Sequence, residues 1–318
     1  MTALELPVTE AETDVPGELT DAVTVSPAKA DAYRRDPHFR AGARALLAAG
    51  GLDRVLASTL LVFKPDAVAG RRVRPVLDGL AAAGFTVAGF ARFRFSPLLT
   101  RELWRYQFNI ASADRADVVD LLLPAADSLA LVLHDPGWKP GALPAAYRLG
   151  DVKGPADPRL RKPEHLRSRL AAPTTLFNFV HTADEPADLL REAALIDLAA
   201  GSRLLAAALA GDPAPTAELA SVVDALEADL PAHDLDEAAA TARLLDRPRY
   251  AGLELDAAGR LPWRAVWARC PDGDLSDSDR WDLLSLATAQ IECNVPGLRP
   301  LLPTVKSADW QAGKRERA

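Results

Sequence analysis

The amino-acid sequence predicts an α+β protein, in which an antiparallel β-sheet is covered by helices and followed by a mainly α-helical C-terminal region. Short β-prone apolar runs alternate with helical patterns up to about residue 211, and Ala- and Leu-rich amphipathic patterns follow. Hydrophobic residues make up 49% of the 318 residues, and there is a single methionine. Because alanine and leucine dominate this apolar share, the sequence favours many helices.

The N-terminal 55 residues are predicted to lie outside the sheet. Residues 1–27 are rich in Glu, Asp, Thr and Pro, which predicts a mobile leader. Residues 28–55 are predicted to form a helical extension, with one or two short helices ending at Gly50 and Gly51. Apolar side chains recur at helical spacing at Tyr33, Phe39, Ala43, Leu46 and Leu47.

The first two predicted strands flank a helix. Thr59–Phe63 is a continuous apolar run, which is typical of a central strand buried on both faces. Val73–Ala83 has a helical pattern that Gly84 stops. Phe85–Phe95 alternates apolar with small or basic residues, which predicts the second strand.

The next segment is predicted to contain two helices, a strand and a long connection. Leu98–Tyr106 and Val118–Leu123 have helical patterns, and Leu129–Leu133 predicts the third strand. Asp135–Pro173 is rich in Pro, Gly, Lys and Arg and shows no clear strand. A connection of this length is usually functional or disordered.

The last predicted strand and helix complete a familiar order. Leu176–Val180 predicts the fourth strand, and Pro186–Leu209 predicts a long helix. The order β-α-β-(α-α)-β-loop-β-α is typical of a ferredoxin-like βαββαβ sandwich. The sequence therefore predicts one such domain over residues 56–211.

Residues 212–318 are predicted to form a mainly helical extension. Thr216–Leu230, Leu235–Leu245 and Arg280–Glu292 have helical patterns. The tryptophans of this region could serve as contacts to a partner, although tryptophans are more often core residues. They are Trp263, Trp267, Trp281 and Trp310.

Charge and cysteine content limit the partners and the compartment. The net charge of −7 and the pI near 5.4 argue against nonspecific binding to nucleic acid or to an anionic membrane. Cys270 and Cys293 form no CxxC pair, which disfavours a zinc site. Because cysteines are few and no secretory signal or apolar membrane span is recognisable, the sequence predicts a cytoplasmic protein.

Two segments carry the functional prediction. The first is Asn178-Phe179-Val180-His181-Thr182-Ala183-Asp184, where a histidine lies between an apolar run and a predicted helix. A neutral imidazole held at the end of a strand can attack a phosphorus atom. The second is Lys64-Pro65-Asp66-Ala67, which ends the first predicted strand.

Together these segments resemble nucleoside diphosphate kinases. In that family the first strand ends in Lys-Pro-Asp-Ala, and the active histidine lies in Asn-x-x-His-Gly-Ser-Asp. Glu192 matches the helical position at which the family keeps a glutamate that orients the histidine. The resemblance covers about residues 56–200 and implies the same ferredoxin-like fold.

The resemblance also implies a mechanism and a set of site residues. His181 would carry the phosphoryl group, Lys64 would neutralise its charge, and Glu192 would bind the imidazole Nδ1 and leave the other nitrogen free. ATP or another nucleoside triphosphate would be the donor and a nucleotide the acceptor, with Mg²⁺ held mainly by the nucleotide phosphates. A homo-oligomer is also implied. The candidate nucleotide- and phosphate-binding residues are Lys64, Arg148, Arg167, Asn178 and Tyr106.

Several positions depart from the family's pattern. In the basic loop Lys153–Arg169, predicted to bind phosphate, only the proline and Arg167 survive from Pro-Gly-Thr-Ile-Arg-Gly-Asp. Thr182-Ala183 replaces Gly-Ser. The family's tyrosine falls near Trp104 or Tyr106, and the phenylalanine that stacks on the base falls near Phe108 or Arg115. These departures leave open an alternative function, a nucleotide-binding regulatory or scaffold protein with little catalysis.

Overall fold

The computed structural model of the protein describes residues 15–270 and 275–316. Four antiparallel strands form one sheet in the order β2-β3-β1-β4. This sheet, its helical cover and the mainly helical C-terminal region confirm the predicted α+β, ferredoxin-like fold class. The strands are β1 Ser58–Phe63, β2 Thr86–Phe93, β3 Ser128–His134 and β4 Val180–Thr182.

The centre of the sheet is its most buried part. Every residue of β1 is buried, because β3 covers one edge of the strand and β4 the other. Ser58 pairs with His134 at one end of β1, whereas Val62 pairs with His181 near the other end. This register fixes the end of the sheet at which His181 lies.

Helices cover the sheet and form the C-terminal region. Those up to β4 are α1 Gly17–Val23, α2 Pro27–Arg35, α3 Pro37–Ala49, α4 Leu52–Leu56, α5 Pro65–Ala69, α6 Val73–Ala82, α7 Pro97–Leu103, α8 Ala113–Leu122, α9 Ala145–Lys153 and α10 Leu166–Arg169. Those after β4 are α11 Pro186–Ala200, α12 Leu204–Ala210, α13 Thr216–Asp229, α14 Glu237–Leu245, α15 Trp263–Trp267, α16 Asp277–Gln290 and α17 Ser307–Glu316. Short 3₁₀ turns occur at Phe108–Ile110, Pro158–Leu160 and Pro248–Tyr250.

Part of the predicted leader is ordered against the core. Residues 1–14 lie outside the described residues, but α1 follows them, and Val15 and Val23 are buried. Thr24 donates a hydrogen bond to the buried carboxylate of Glu185, just before α11. The prediction of a mobile leader is therefore wrong for residues 15–27, because apolar burial and this polar contact hold them.

The helical extension packs directly on the domain. Gly42 of α3 lies so close to α11 that a Cβ atom there would stand 2.4 Å from the carbonyl oxygen of Leu190. Lys29 of α2 forms ion pairs of 2.6 and 2.8 Å with Glu185 and Asp188, and all three side chains are buried. The predicted boundaries at residues 27, 55 and 211 stay predictions, since one apolar core includes residues from all four regions.

The fourth strand is shorter and later than predicted. The prediction of Leu176–Val180 is wrong, because tight backbone turns occupy most of this run. The N–H groups of Asn178 and Val180 donate to carbonyls only two residues back, and Phe179 has a left-handed φ of 69°. His181 therefore lies in the middle of β4 and not beyond the end of a strand.

The helix predicted over Pro186–Leu209 is two helices. Gly201 adopts φ 64°, a left-handed conformation that ends α11. The carboxylate of Asp197 accepts hydrogen bonds from the N–H groups of Leu204 and Leu205 and so caps the start of α12. The loop predicted over Asp135–Pro173 also contains two helices, α9 and α10.

The C-terminal region reaches back to the sheet domain. We call residues 292–302 the C-terminal strap. We call residues 104–115, which comprise the connection from α7 to α8 and the first three residues of α8, the hairpin segment. The strap runs along the hairpin segment through hydrogen bonds such as those from Val295 N to Ile110 O and from Leu301 N to Tyr106 O. Within the described residues, no helix has the length and apolar character that crossing a membrane requires.

Candidate active site

His181 is held between a strand, a helix and an aromatic ring. Its backbone pairs with Val62 of β1. Its imidazole packs edge-on against the indole of Trp104, with ring centroids 5.1 Å apart and an interplanar angle of 73°. The side chain is 18% exposed, so the ring is largely fixed but still reaches the surface.

The ring nitrogen that contacts Glu192 differs from the predicted one. The Oε2 atom of Glu192 lies 2.8 Å from Nε2 of His181, and the carboxylate is buried. We expected the contact at Nδ1, and that expectation is wrong: α11 brings the carboxylate to the tip of the imidazole, where Nε2 lies. A carboxylate at Nε2 favours the tautomer that carries its proton there.

The other ring nitrogen is therefore the candidate nucleophile. Among residues 15–270 and 275–316, no group forms a hydrogen bond with Nδ1 of His181. In the favoured tautomer Nδ1 carries a lone pair, which can attack an electrophile.

Lys64 is buried and already has partners. Its Nζ donates to the carbonyl oxygen of Leu176 at 2.5 Å and lies 3.4 Å from the carboxylate of Asp66. Burial lowers the pKa of the Lys64 ammonium; Asp66 counteracts part of this effect, and the charges of Arg167 and Arg115 add to it. Lys64 thus holds the turn before β4 and has one N–H left for a ligand.

Arg167 likewise binds the backbone around β4. Its guanidinium donates to the carbonyl oxygens of Asn178, Gly154 and Val180 at 3.2, 2.8 and 2.5 Å. Burial lowers its pKa to about 9, and the nearby charge of Arg161 contributes. The predicted phosphate ligand is therefore a buried clamp on this turn in the described structure.

The rest of the basic loop has the same structural character. Arg161 donates to four backbone carbonyls, those of Pro155, Ala156, Ala172 and Thr174. Such contacts satisfy buried carbonyl oxygens that no helix or strand would satisfy. The long loop is thus held together by its own arginines.

Asn178 lies at the turn between the loop and β4. Its amide nitrogen donates to the carbonyl oxygen of Thr175 at 2.7 Å. Its Oδ1 atom is buried, and no described residue donates a hydrogen bond to it. A buried acceptor without a partner is costly, so this oxygen is a polar atom that the described fold leaves unsatisfied.

Two predicted site residues lie elsewhere. Arg148 forms an ion pair of 2.6 Å with Asp135, just after β3 and near the end of β1 opposite to His181. The hydroxyl of Tyr106 donates to Asp36, and burial, followed by the charge of Asp36, raises the pKa of Tyr106 to about 12. The structure brings neither side chain into contact with His181; of the two aromatic candidates, Trp104 makes that contact.

Sequence reasoning missed a lysine close to β4. Lys153, at the end of α9, donates to the hydroxyl of Thr182 and lies 3.9 Å from the carboxylate of Asp184. Burial lowers its pKa to about 8, while Asp184 acts in the opposite direction. A sequence signal existed, since Lys153 begins the basic loop, but no motif distinguished it from the other basic residues.

Two surface cavities lie away from His181. One, of about 330 Å³, is open and lies on the basic loop beside Arg161, Lys162 and Arg167. Another, of about 210 Å³, lies near Arg92 and Asp229. Across the described part of the chain, no group of three His, Cys, Asp or Glu side chains is arranged to hold a metal ion.

No protein-family model and no curated protein matches the sequence. Solved structures similar to part of the chain include nucleoside diphosphate kinases. That of Aquifex aeolicus is 23% identical, covers 44% of this chain and 93% of its own, and has a TM-score of 0.37. That of Pyrobaculum aerophilum is 17% identical, covers 44% and 94%, and also has a TM-score of 0.37. That of Halobacterium salinarum, in complex with CDP, is 17% identical, covers 40% and 76%, and has a TM-score of 0.34. The likeness thus concerns a nucleoside diphosphate kinase-like fold in less than half of this chain.

Proposed function

We propose that the protein is a phosphotransferase that moves the γ-phosphoryl group of a nucleoside triphosphate to a nucleotide acceptor through a phosphohistidine at His181. The observation that carries the proposal is the pairing of Nε2 with the buried carboxylate of Glu192, while Nδ1 has no partner within the described residues. This pairing fixes the tautomer in which Nδ1 carries the lone pair that nucleophilic attack requires.

The chemistry follows from this tautomer. The lone pair of Nδ1 forms the bond to the γ-phosphorus, and the bond from that phosphorus to the bridging oxygen breaks, so the nucleoside diphosphate leaves with the electron pair. The ring becomes positively charged, and the carboxylate of Glu192 stabilises it through the proton on Nε2. In the second half of the reaction cycle, a terminal phosphate oxygen of the acceptor nucleotide attacks the phosphorus of the phosphohistidine. The bond from that phosphorus to Nδ1 breaks, and Nδ1 regains its lone pair.

Other residues of the chain would orient the phosphates. Lys64 has one ammonium proton beyond its two contacts, and Arg167 has further N–H groups beyond its three carbonyl bonds. The Oδ1 atom of Asn178 is a buried acceptor without a partner among the described residues, and a ligand hydroxyl would satisfy it. Mg²⁺, when bound, would be held by the phosphate oxygens and would neutralise their charge, since the described residues offer no ready group of metal ligands.

A second function deserves a test because Lys64 and Arg167 already have protein partners. Two buried cations engaged with backbone carbonyls can shape a nucleotide site without driving transfer. This observation favours a nucleotide-binding regulatory or scaffold protein with little catalysis. Such a protein would bind nucleoside triphosphate and leave His181 unmodified.

Incubation with γ-labelled ATP and Mg²⁺ separates the two functions. For the phosphotransferase we expect label on the protein that is stable in base and lost in acid, as a phosphoramidate bond requires. A chase with different nucleoside diphosphates should remove the label and reveal the acceptor. If ATP binds but no label forms, the phosphotransferase proposal fails and the binding function is favoured.

The Glu192→Gln variant tests the role of the carboxylate. We expect the rate of His181 labelling to fall by about 10- to 100-fold, which corresponds to the loss of one charged hydrogen bond of about 1.5–3 kcal/mol. The amide keeps the size of the side chain but cannot balance a positive imidazole. Single-turnover labelling measures the rate, and Glu218→Gln, on the exposed face of α13, is the control. Equal rates in wild type and Glu192→Gln would contradict the role.

A further inference from the structure

The C-terminal strap is connected to the hairpin segment by polar contacts along its length. Ser112 N donates to Cys293 O, and the Nδ2 atom of Asn109 donates to Arg299 O at 2.9 Å. Trp104, in the same hairpin segment, contacts His181. The strap therefore covers the segment that forms one wall of the candidate site.

One contact between strap and hairpin orients a charged group. The Nη1 atom of Arg115 donates to Oδ1 of Asn294 at 2.6 Å. The Nε atom of Arg115 is buried, and within the described residues it has no hydrogen-bond partner. Nε and Nη2 form the side of a guanidinium that binds an oxyanion with two parallel hydrogen bonds. Asn294 thus occupies one end of the group, and the buried Nε side is left without a partner among the described residues.

The surroundings of this fork are positively charged. The charge of Arg115 is close enough to lower the pKa of Lys64, and the charge of Arg167 acts on Lys64 in the same direction. Burial lowers the pKa of the Arg115 guanidinium as well. Asp66 is the carboxylate that acts on Lys64 against these charges. Three cations near one carboxylate, of which Lys64 and Arg167 are buried, are stabilised by an added anion.

The hairpin segment is also poorly suited to stack on a base. Phe108 already has the guanidinium groups of Arg101 and Arg115 over its ring, at 4.3 and 5.6 Å from the centroid. Arg101 differs from Arg115 in one important respect, because Asp120 pairs with it through two hydrogen bonds of 2.8 and 2.7 Å. Of these two guanidinium groups, Arg101 therefore has a carboxylate partner, whereas Arg115 is hydrogen-bonded to the neutral amide of Asn294.

We propose that Arg115, oriented by Asn294 of the C-terminal strap, binds a phosphate group of the nucleotide that reaches His181. The inference rests on the proposed function for the identity of the ligand. The strap is then part of the ligand site. The hairpin segment would recognise the nucleotide through the charge of its phosphates and not through stacking on its base.

The test compares binding in matched pairs of variants. All proteins carry His181→Ala, so that no phosphoryl transfer occurs during titration calorimetry. The probes are ATP, inorganic tripolyphosphate and adenosine. Arg115→Gln is paired with Arg101→Gln, which removes a guanidinium from the same Phe108 ring. Asn294→Ala is paired with Asn109→Ala, which breaks strap contacts without touching Arg115.

The expected result is a loss of affinity that is confined to the two probes that carry phosphate groups. Arg115→Gln should weaken the binding of ATP and of tripolyphosphate by about 10- to 100-fold, as expected for the loss of a charged, two-bond contact. The binding of adenosine should not change. Asn294→Ala should weaken the same two probes by a smaller factor, and Arg115→Lys, which keeps the charge but not the fork, should be intermediate. The two control variants should bind as their parent does.

Other outcomes overturn the proposal. It fails if Arg115→Gln binds tripolyphosphate as tightly as Arg101→Gln does, or if the parent binds neither phosphate probe. It also fails if Asn109→Ala weakens binding as much as Asn294→Ala, since the strap would then act only through stability. A wild-type protein that binds ATP but forms no phosphohistidine would refute the phosphotransferase and leave the role of Arg115 intact.

Discussion

Alanine in place of His181 is expected to abolish the acid-labile label that the wild-type protein acquires from γ-labelled ATP. The reason is that Nδ1 of this imidazole is the proposed attacking atom, and alanine offers no nucleophile there. The residual labelling should be at least about 100-fold lower, because without the nucleophile the covalent route does not exist. Binding of ATP should persist, since Lys64, Arg167 and Asn178 remain.

The control for this result is His134→Ala. His134 lies in β3 of the same sheet, its Nδ1 atom is 3.2 Å from the hydroxyl of Ser58, and burial lowers its pKa. It pairs with Ser58 at the end of β1 opposite to His181. We expect His134→Ala to be labelled as the wild type is. Label that persists in His181→Ala, or that disappears in His134→Ala alone, would place the phosphoryl group on another residue.

The sheet could be predicted from the sequence where burial alone determines structure. Thr59–Phe63 and Leu129–Leu133 are apolar runs, and the strands β1 and β3 extend them by only one or two residues. β4 could not be predicted in the same way. The apolar run before His181 folds into turns whose backbone is bound by Lys64, Asp66 and Arg167, and Lys64 and Asp66 come from a distant part of the chain.

The same distinction between predictable and unpredictable features applies to the candidate site. The contact of His181 with Glu192 could be predicted from the resemblance to nucleoside diphosphate kinases, because Glu192 falls at the position of the family's glutamate. The partners of Lys64 and Arg167 could not, because these partners are backbone carbonyls whose positions depend on the tertiary fold. Arg115 and Asn294 are 179 residues apart, and no spacing in the sequence relates them.

The Arg191→Met variant is expected to lose about 3–5 kcal/mol of unfolding free energy, because it leaves the buried carboxylate of Asp36 without its cation. Arg191 lies next to Glu192 in α11 and is 1% exposed. Its guanidinium binds Asp36 at 2.8 Å and the carbonyl oxygens of Glu102 and Leu103. Burial opposes this charge, yet Asp36 outweighs it and the pKa of Arg191 is raised.

Chemical denaturation measures the loss, and the exposed pair of Arg74 with Asp224 provides the control: Arg74→Met should leave the free energy of unfolding close to that of the wild type. The pH dependence adds a second criterion. Burial alone would raise the pKa of Asp36, but Arg191 more than compensates and lowers it below 3.8. The stability that Asp36 contributes is therefore present above its unfolded-state pKa and is lost as the pH falls through its lower folded-state pKa. In Arg191→Met that pKa should rise, so acid unfolding should begin at higher pH than in the wild type. Equal acid midpoints in the two proteins would mean that the Asp36–Arg191 pair does not hold α11, and with it Glu192, against the N-terminal helices.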